Sequence, residues 1–207
     1  MKRVKKQTFN LFTRLWFLLF LLSPVPYSWS QSTSSTSMKQ WRVLPASYLE
    51  IKGKSNINSF GCSAKNAFKA TPIEWIVQKD EKLKLKGSVT LAINALDCQN
   101  KMLNQDLRKT LKAQEYPTMT IHFLHLERMP ILDGGIDFVS GKVQIDLAGT
   151  KKMIELRFSL RETSDGMILE GSQRFCFKDF NLTPPEKVGG LIKVRDQFDV
   201  AFALYLQ

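Results

Sequence analysis

Between Lys82 and Asp97 apolar and polar residues alternate. Leu83, Leu85, Gly87, Val89, Leu91, Ile93 and Ala95 share one parity; Lys84, Lys86, Ser88, Thr90 and Asn94 share the other. A strand sends successive side chains to opposite faces, so this pattern demands a sheet with one buried face and one wet face. Antiparallel sheets meet that demand; parallel sheets, buried on both faces, do not.

The same period recurs in Thr118–Phe123, Lys142–Leu147, Ile154–Arg161, Met167–Lys178 and Phe198–Leu206. Tyr48–Lys52 and Asn58–Ala70 add two strands near the start. Turn residues separate the runs at Lys79–Lys82, Asp133–Gly135, Gly149–Lys152 and Ser164–Gly166. One segment departs from the rule. Lys101–Lys112 places Met102 or Leu103, Leu107 and Leu111 at helical spacing, and Pro117 blocks continuation. Asp97 and Asp106 flank the start of this helix, where carboxylates can cap backbone N–H groups. The body therefore reads as eight or nine strands with one helix before the fifth. A meander this long must close or stack to hide its edges, and a closed or nearly closed barrel is expected. Gly87 and Gly171 fall on the inward parity. They leave room for a small ligand in an eight-stranded barrel, or they serve bends and bulges around a solid core.

The first 30 residues read differently. Lys2, Arg3, Lys5 and Lys6 precede an apolar stretch, Leu11–Leu22, interrupted by Arg14; Pro24 and Pro26 and then Ser28 and Ser30 follow. This is the pattern of a signal peptide cleaved after Ser30, too short for a membrane span. Gln31–Gln40 is Ser/Thr-rich and reads as a flexible leader, with the folded domain at 41–207. The whole chain carries 30 Lys+Arg against 19 Asp+Glu, a net +11. Removing the five basic residues of the first 30 leaves 25 against 19, a net +6, scattered without a stripe. That balance speaks to solubility, not to nucleic acid.

Three motifs in order carry a resemblance. Ile93-Asn-Ala-Leu-Asp-Cys98, Asp106 in a Leu-rich helix and Glu115-Tyr-Pro-Thr-Met-Thr-Ile-His-Phe123 form a strand–helix–strand block. Ser140-Gly-Lys-Val-Gln-Ile-Asp-Leu-Ala-Gly-Thr-Lys151 reads as a hairpin, and Phe177-Lys-Asp-Phe-Asn-Leu182 precedes a closing strand. Together they resemble the YceI-like family, in a branch marked by Cys62. The resemblance implies an all-β, antiparallel lipocalin-like barrel of about eight strands with one short inserted helix. It also implies export, to the periplasm or beyond, and enclosure of a long apolar molecule, a polyisoprenoid or isoprenoid quinone. No cofactor, metal or nucleic acid is expected, nor a stable membrane span after cleavage; a homodimer stays open. The wall residues expected from inward parity are Leu91, Ile93, Phe123, Phe158, Leu169, Phe175 and Phe202.

Export permits a disulfide. Cys62–Cys98 is the expected pair, fastening the start of the helix to the wall. Strict parity opposes it, setting Cys62 with the apolar residues and Cys98 with the polar ones, so three free thiols remain the alternative. Cys176 is left over. No nucleophile elbow, P-loop or dinucleotide fingerprint is present. His122 and His125, three apart on a strand, are expected on opposite faces, unsuited to one metal ion. A binding protein is expected, not an enzyme; its rival is a filled barrel that serves as an adaptor for another envelope protein.

Overall fold

The alternation is realised in a computed structural model that describes residues 38–78 and 82–207. The expected signal peptide and most of the leader lie outside these residues. The leader's last three residues do not stay flexible, because the first strand begins at Met38.

Among the described residues there are thirteen strands: β1 (Met38–Trp41), β2 (Tyr48–Ser55), β3 (Ser59–Lys65), β4 (Phe68–Ala70), β5 (Ile73–Val77), β6 (Leu83–Lys86), β7 (Ser88–Ala92), β8 (Thr118–Leu126), β9 (Ile136–Leu147), β10 (Thr150–Thr163), β11 (Gly166–Cys176), β12 (Glu186–Lys187) and β13 (Ile192–Leu206). One helix, α1 (Lys101–Thr110), lies between β7 and β8. The count exceeds eight for local reasons. The run Asn58–Ala70 breaks at Asn66, which takes a left-handed φ of 54°. The run Lys82–Asp97 breaks at Gly87 (φ 152°), where a Cβ would lie 2.7 Å from the Pro72 carbonyl oxygen, and it ends in a 3-10 turn at Ile93–Ala95. β1, β5 and the two-residue β12 were not resolved from the pattern.

The pairing is antiparallel throughout and follows the order β8-β9-β10-β11-β13-β2-β3. β3 leads into β4, which pairs with β7, which returns to β8. The curled sheet thus meets itself, but the seam is thin: the three-residue β4–β7 ladder and a bridge between Ser63 and Asp97. Elsewhere the ladders are long, with twelve register pairs between β9 and β10. The β9–β10 loop is the two residues Ala148 and Gly149, both at positive φ (50° and 79°), a turn whose twist suits a hairpin. The segment after β1 is tied to the end of β13. Arg42 and Gln207 exchange backbone bonds of 2.7 and 2.9 Å, and Leu44 N–H donates to the Tyr205 carbonyl.

α1 starts at Asn100, whose side chain accepts from Met102 N–H (2.9 Å) and Leu103 N–H (3.1 Å). The cap is therefore neither aspartate. Asp97 accepts instead from Gln99 N–H and from the Asn104 amide, both at 2.9 Å, and these bonds hold its carboxyl below the usual range. Asp106 lies a turn further on and pairs with Lys187 at 2.6 Å.

A bidentate pair braces the β8–β9 connection. Arg128 donates to both Asp137 oxygens (2.6 and 2.7 Å), and Ile131 N–H donates at 2.7 Å. The Arg128 guanidinium holds the Asp137 carboxyl far below its ordinary value, with the backbone bond adding to it. A lowered folded-state value contributes stability above the unfolded carboxylate range near ~4, and that contribution is lost as pH falls through the folded value. Asp137→Asn should thus flatten the decline of the thermal midpoint below about pH 4. Thermal unfolding of both chains from pH 7 to pH 2 checks this; parallel curves would contradict it.

Candidate functional site: an apolar cavity under a phenylalanine mouth

The inward side chains do not fill the barrel evenly. Below, the core is solid: Phe158, Leu160, Leu169 and Leu206 are each 2% exposed or less. Above this floor the facing strands part around a cavity of about 90 Å³. Its walls come from β2 (Leu49, Ile51), β8 (Met119, Ile121, Phe123), β9 (Val143, Ile145, Leu147) and β13 (Phe198, Val200, Phe202). Leu107 and Leu111, the apolar face of α1, lie across the top with Phe177 and Phe180 from the 3-10 turn after β11. Gln173 is the single lining residue of polar type, and its amide donates to the Arg174 carbonyl (3.1 Å), leaving its stem to the wall.

Of the seven wall residues expected from parity, Phe123, Phe175 and Phe202 line the cavity. Leu91, Ile93, Phe158 and Leu169 face inward and are buried, but they belong to the packed core and do not line it. Parity gives the face of a strand and says nothing of where the cavity lies along or around the barrel: Phe158 and Leu169 lie further along their strands, whereas Leu91 pairs with the lining residue Met119 but lies to its side. The glycines do not make the cavity either. Gly171 pairs across the sheet with Phe202, whose ring would stand 2.6 Å from a Cβ there; Gly87 serves a bend. Space vacated by these glycines is thus taken by a ring or by backbone.

Phenylalanines form the mouth. The Phe175 ring lies 5.8 Å from that of Phe198 and 5.6 Å from that of Phe180; Phe177 lies 5.0 Å from Phe198. Beyond them, a groove of about 280 Å³ runs between α1 and the segment Pro185–Val194, and it shares Phe60, Cys62, Leu107 and Phe177 with the cavity. The Asp106–Lys187 ion pair joins residues on the two sides of this groove.

The Cys62–Cys98 disulfide is formed, and Cys62 belongs to both cavity and groove. The parity conflict disappears because Cys98 is not on a strand. The turn at Ile93–Ala95 resets the phase, and Asp97 then exchanges two 2.9 Å backbone bonds with Ser63, beside Cys62. With 36 residues of separation, the bridge should stabilise the fold by about 4 kcal/mol through loop closure. The double variant Cys62→Ser/Cys98→Ser is expected to lose about that much in urea unfolding; an unchanged midpoint would contradict it. Cys176 is free, and burial pushes its thiol up, with Asp196 and Asp179 adding to the effect.

The histidines do not stand on opposite faces. A bulge between Phe123 and His125 shifts the β8–β9 register, so His122 pairs with Gln144 and His125 with Lys142 on the same outer face. His122 lies 3.4 Å from Asp146, and His125 lies 2.9 Å from Glu127. No group of three or more metal-ligating side chains occurs among the described residues.

Residues 34–206 match the model of the YceI-like domain. The chain belongs to the YceI-like family. Solved structures agree in fold. Burkholderia cenocepacia BcnA superposes with a TM-score of 0.58 at 16% identity, covering 80% of this chain and 99% of that one. A polyisoprenoid binding domain from Saccharophagus degradans, implicated in plant cell wall breakdown, superposes at 0.55 with 11% identity, covering 83% and 98%. No curated protein matches in sequence. As a YceI-like chain it shows the family's curled antiparallel sheet, here with a disulfide at the cavity wall.

Proposed function

We propose that this YceI-like chain is an exported carrier that encloses the hydrocarbon part of a long apolar lipid, a polyisoprenoid or an isoprenoid quinone. The supporting observation is the cavity wall itself, which turns no polar group inward. A buried polar or charged group without a partner costs several kcal/mol. A ligand therefore leaves any polar end at the mouth and places only hydrocarbon inside. Burial of that hydrocarbon contributes about 25 cal/mol per Å² before ordering costs. The polyisoprenoid binding domain of the same fold supports the ligand class. The Cys62–Cys98 bridge supports export, since such bonds persist in oxidising compartments. Binding, rather than catalysis, is the role this wall suits.

The cavity of about 90 Å³ is smaller than the ~300–1,000 Å³ of typical ligand sites. Entry of a prenyl chain therefore requires the mouth phenylalanines to swing and the cavity to join the groove. That small volume is also the one observation favouring a filled barrel acting as an adaptor. Titration of the delipidated chain with a fluorescent polyprenyl probe separates the two. The carrier gives saturable, stoichiometric uptake, and the filled barrel gives none.

A further inference from the structure

Four large apolar side chains that the core does not use stand around the groove. Ile57 (65% exposed) tips the β2–β3 turn, Met102 (62%) opens α1, and Val188 (67%) and Leu191 (72%) lie between β12 and β13. Ile57 and Met102 line the groove itself. Two of the carriers are braced together. Asn56 donates its amide to the Leu191 carbonyl (2.9 Å), and its side-chain oxygen accepts from Lys193 N–H (3.0 Å). The Asn56 side chain thus holds the segments of Ile57 and Leu191 near each other. Scattered exposed apolar residues are ordinary, but four from three elements around one opening form a patch that marks an interaction surface.

Charge favours one occupant. The segments that carry the four residues (54–58, 101–110 and 186–196) also hold Lys54, Lys101, Arg108, Lys109, Lys187, Lys193 and Arg195, against Asp106, Glu186 and Asp196; Lys187 pairs with Asp106 and Lys193 with Glu186, which leaves the set net positive. The next outer cleft continues the positive surface with Lys52, Lys54, Arg174 and Arg195 around Asp199. An apolar rim within a net-positive collar fits an anionic bilayer, where apolar side chains enter the acyl boundary and cations meet the headgroups.

We infer that this rim docks the chain on an anionic lipid bilayer, with Ile57, Met102, Val188 and Leu191 entering the membrane surface and the groove as the port through which ligand passes. The port rests on the reading of the cavity as a hydrocarbon site; the docking does not. Docking places the phenylalanine mouth against the phase in which a prenyl chain dissolves, so the chain need not cross water.

The test is flotation of the full-length chain with vesicles of phosphatidylethanolamine and phosphatidylglycerol, beside Ile57→Asn/Leu191→Asn. Any contribution of residues 1–37 is common to both. Bound wild type should exceed the double variant by about tenfold, and vesicles of phosphatidylcholine alone should bind the wild type several-fold less. Thermal midpoints should agree, since both side chains are exposed; should the double variant misfold, Leu191→Asn alone carries the comparison. Equal flotation of wild type and variant overturns the inference, as does capture that ignores the anionic lipid. The polyprenyl probe added without vesicles keeps the two readings apart. Rim-dependent flotation without probe uptake leaves docking standing and removes the carrier; probe uptake without rim-dependent flotation does the reverse.

Discussion

Replacing Phe158 with alanine is expected to lower stability by about 3–5 kcal/mol, the range for emptying a phenylalanine site in a packed core. The side chain is 1% exposed. Its ring meets Phe202 edge-on at 6.2 Å and fills the space over Gly141, where a Cβ would come within 2.9 Å of it. None of this packing can be replaced by solvent, and the surrounding ladders are too continuous to collapse inward. Phe158 lies in the floor, outside the cavity lining, so the polyprenyl probe should still bind to the folded fraction of Phe158→Ala. Urea unfolding measures the first effect and probe titration the second. A loss under about 1 kcal/mol would show that the floor is loose, contrary to the packing described here.

Filling the cavity should have the opposite signature. Val200 is half-buried on the inner face of β13, in register between Ile51 and Gln173, and it lines the cavity. Val200→Phe puts a ring into the void of about 90 Å³. Probe affinity should fall about a hundredfold, because an apolar site offers a ligand only the volume it has. Stability should hold or rise by about 0.5–2 kcal/mol, as cavity filling commonly gives. Retained affinity would place the ligand elsewhere. Lost affinity together with lost stability would mean overpacking, and the smaller Val200→Leu would then separate the two effects.

These contrasts show what was legible before the structure. Period-two alternation gave strand identity and inward parity, and the helical spacing of Met102 or Leu103, Leu107 and Leu111 gave the helix, because each is a local property of the chain. Alternation placed all seven expected wall residues inside, and three of them at the cavity. The division between floor and cavity depends on register between strands, such as Gly141 opposite Leu156 and Gly171 opposite both Phe158 and Phe202. Alternation along one strand carries no such information. The bulge beside His125 and the three-residue turn before Cys98 are local irregularities, and each reverses a parity inference. Asn100, the true helix cap, has a clear signal in hindsight: asparagine ranks with aspartate at that position and stands immediately before the helical run. The mouth was missed for a different reason. Phe177 and Phe198 keep the inward parity of their runs, but their meeting with Phe175 and Phe180 rests on the β11–β13 pairing and on the 3-10 turn after β11, which alternation along one strand does not show.

The most direct measurement is the ligand content of the natively isolated chain. The protein is purified without detergent from a host that makes prenyl lipids, extracted into organic solvent, and the extract weighed by mass spectrometry against protein. A prenyl-chain lipid near one per chain is the predicted result. A clean extract, with no uptake when prenyl lipids are supplied, would contradict the carrier and leave a filled barrel.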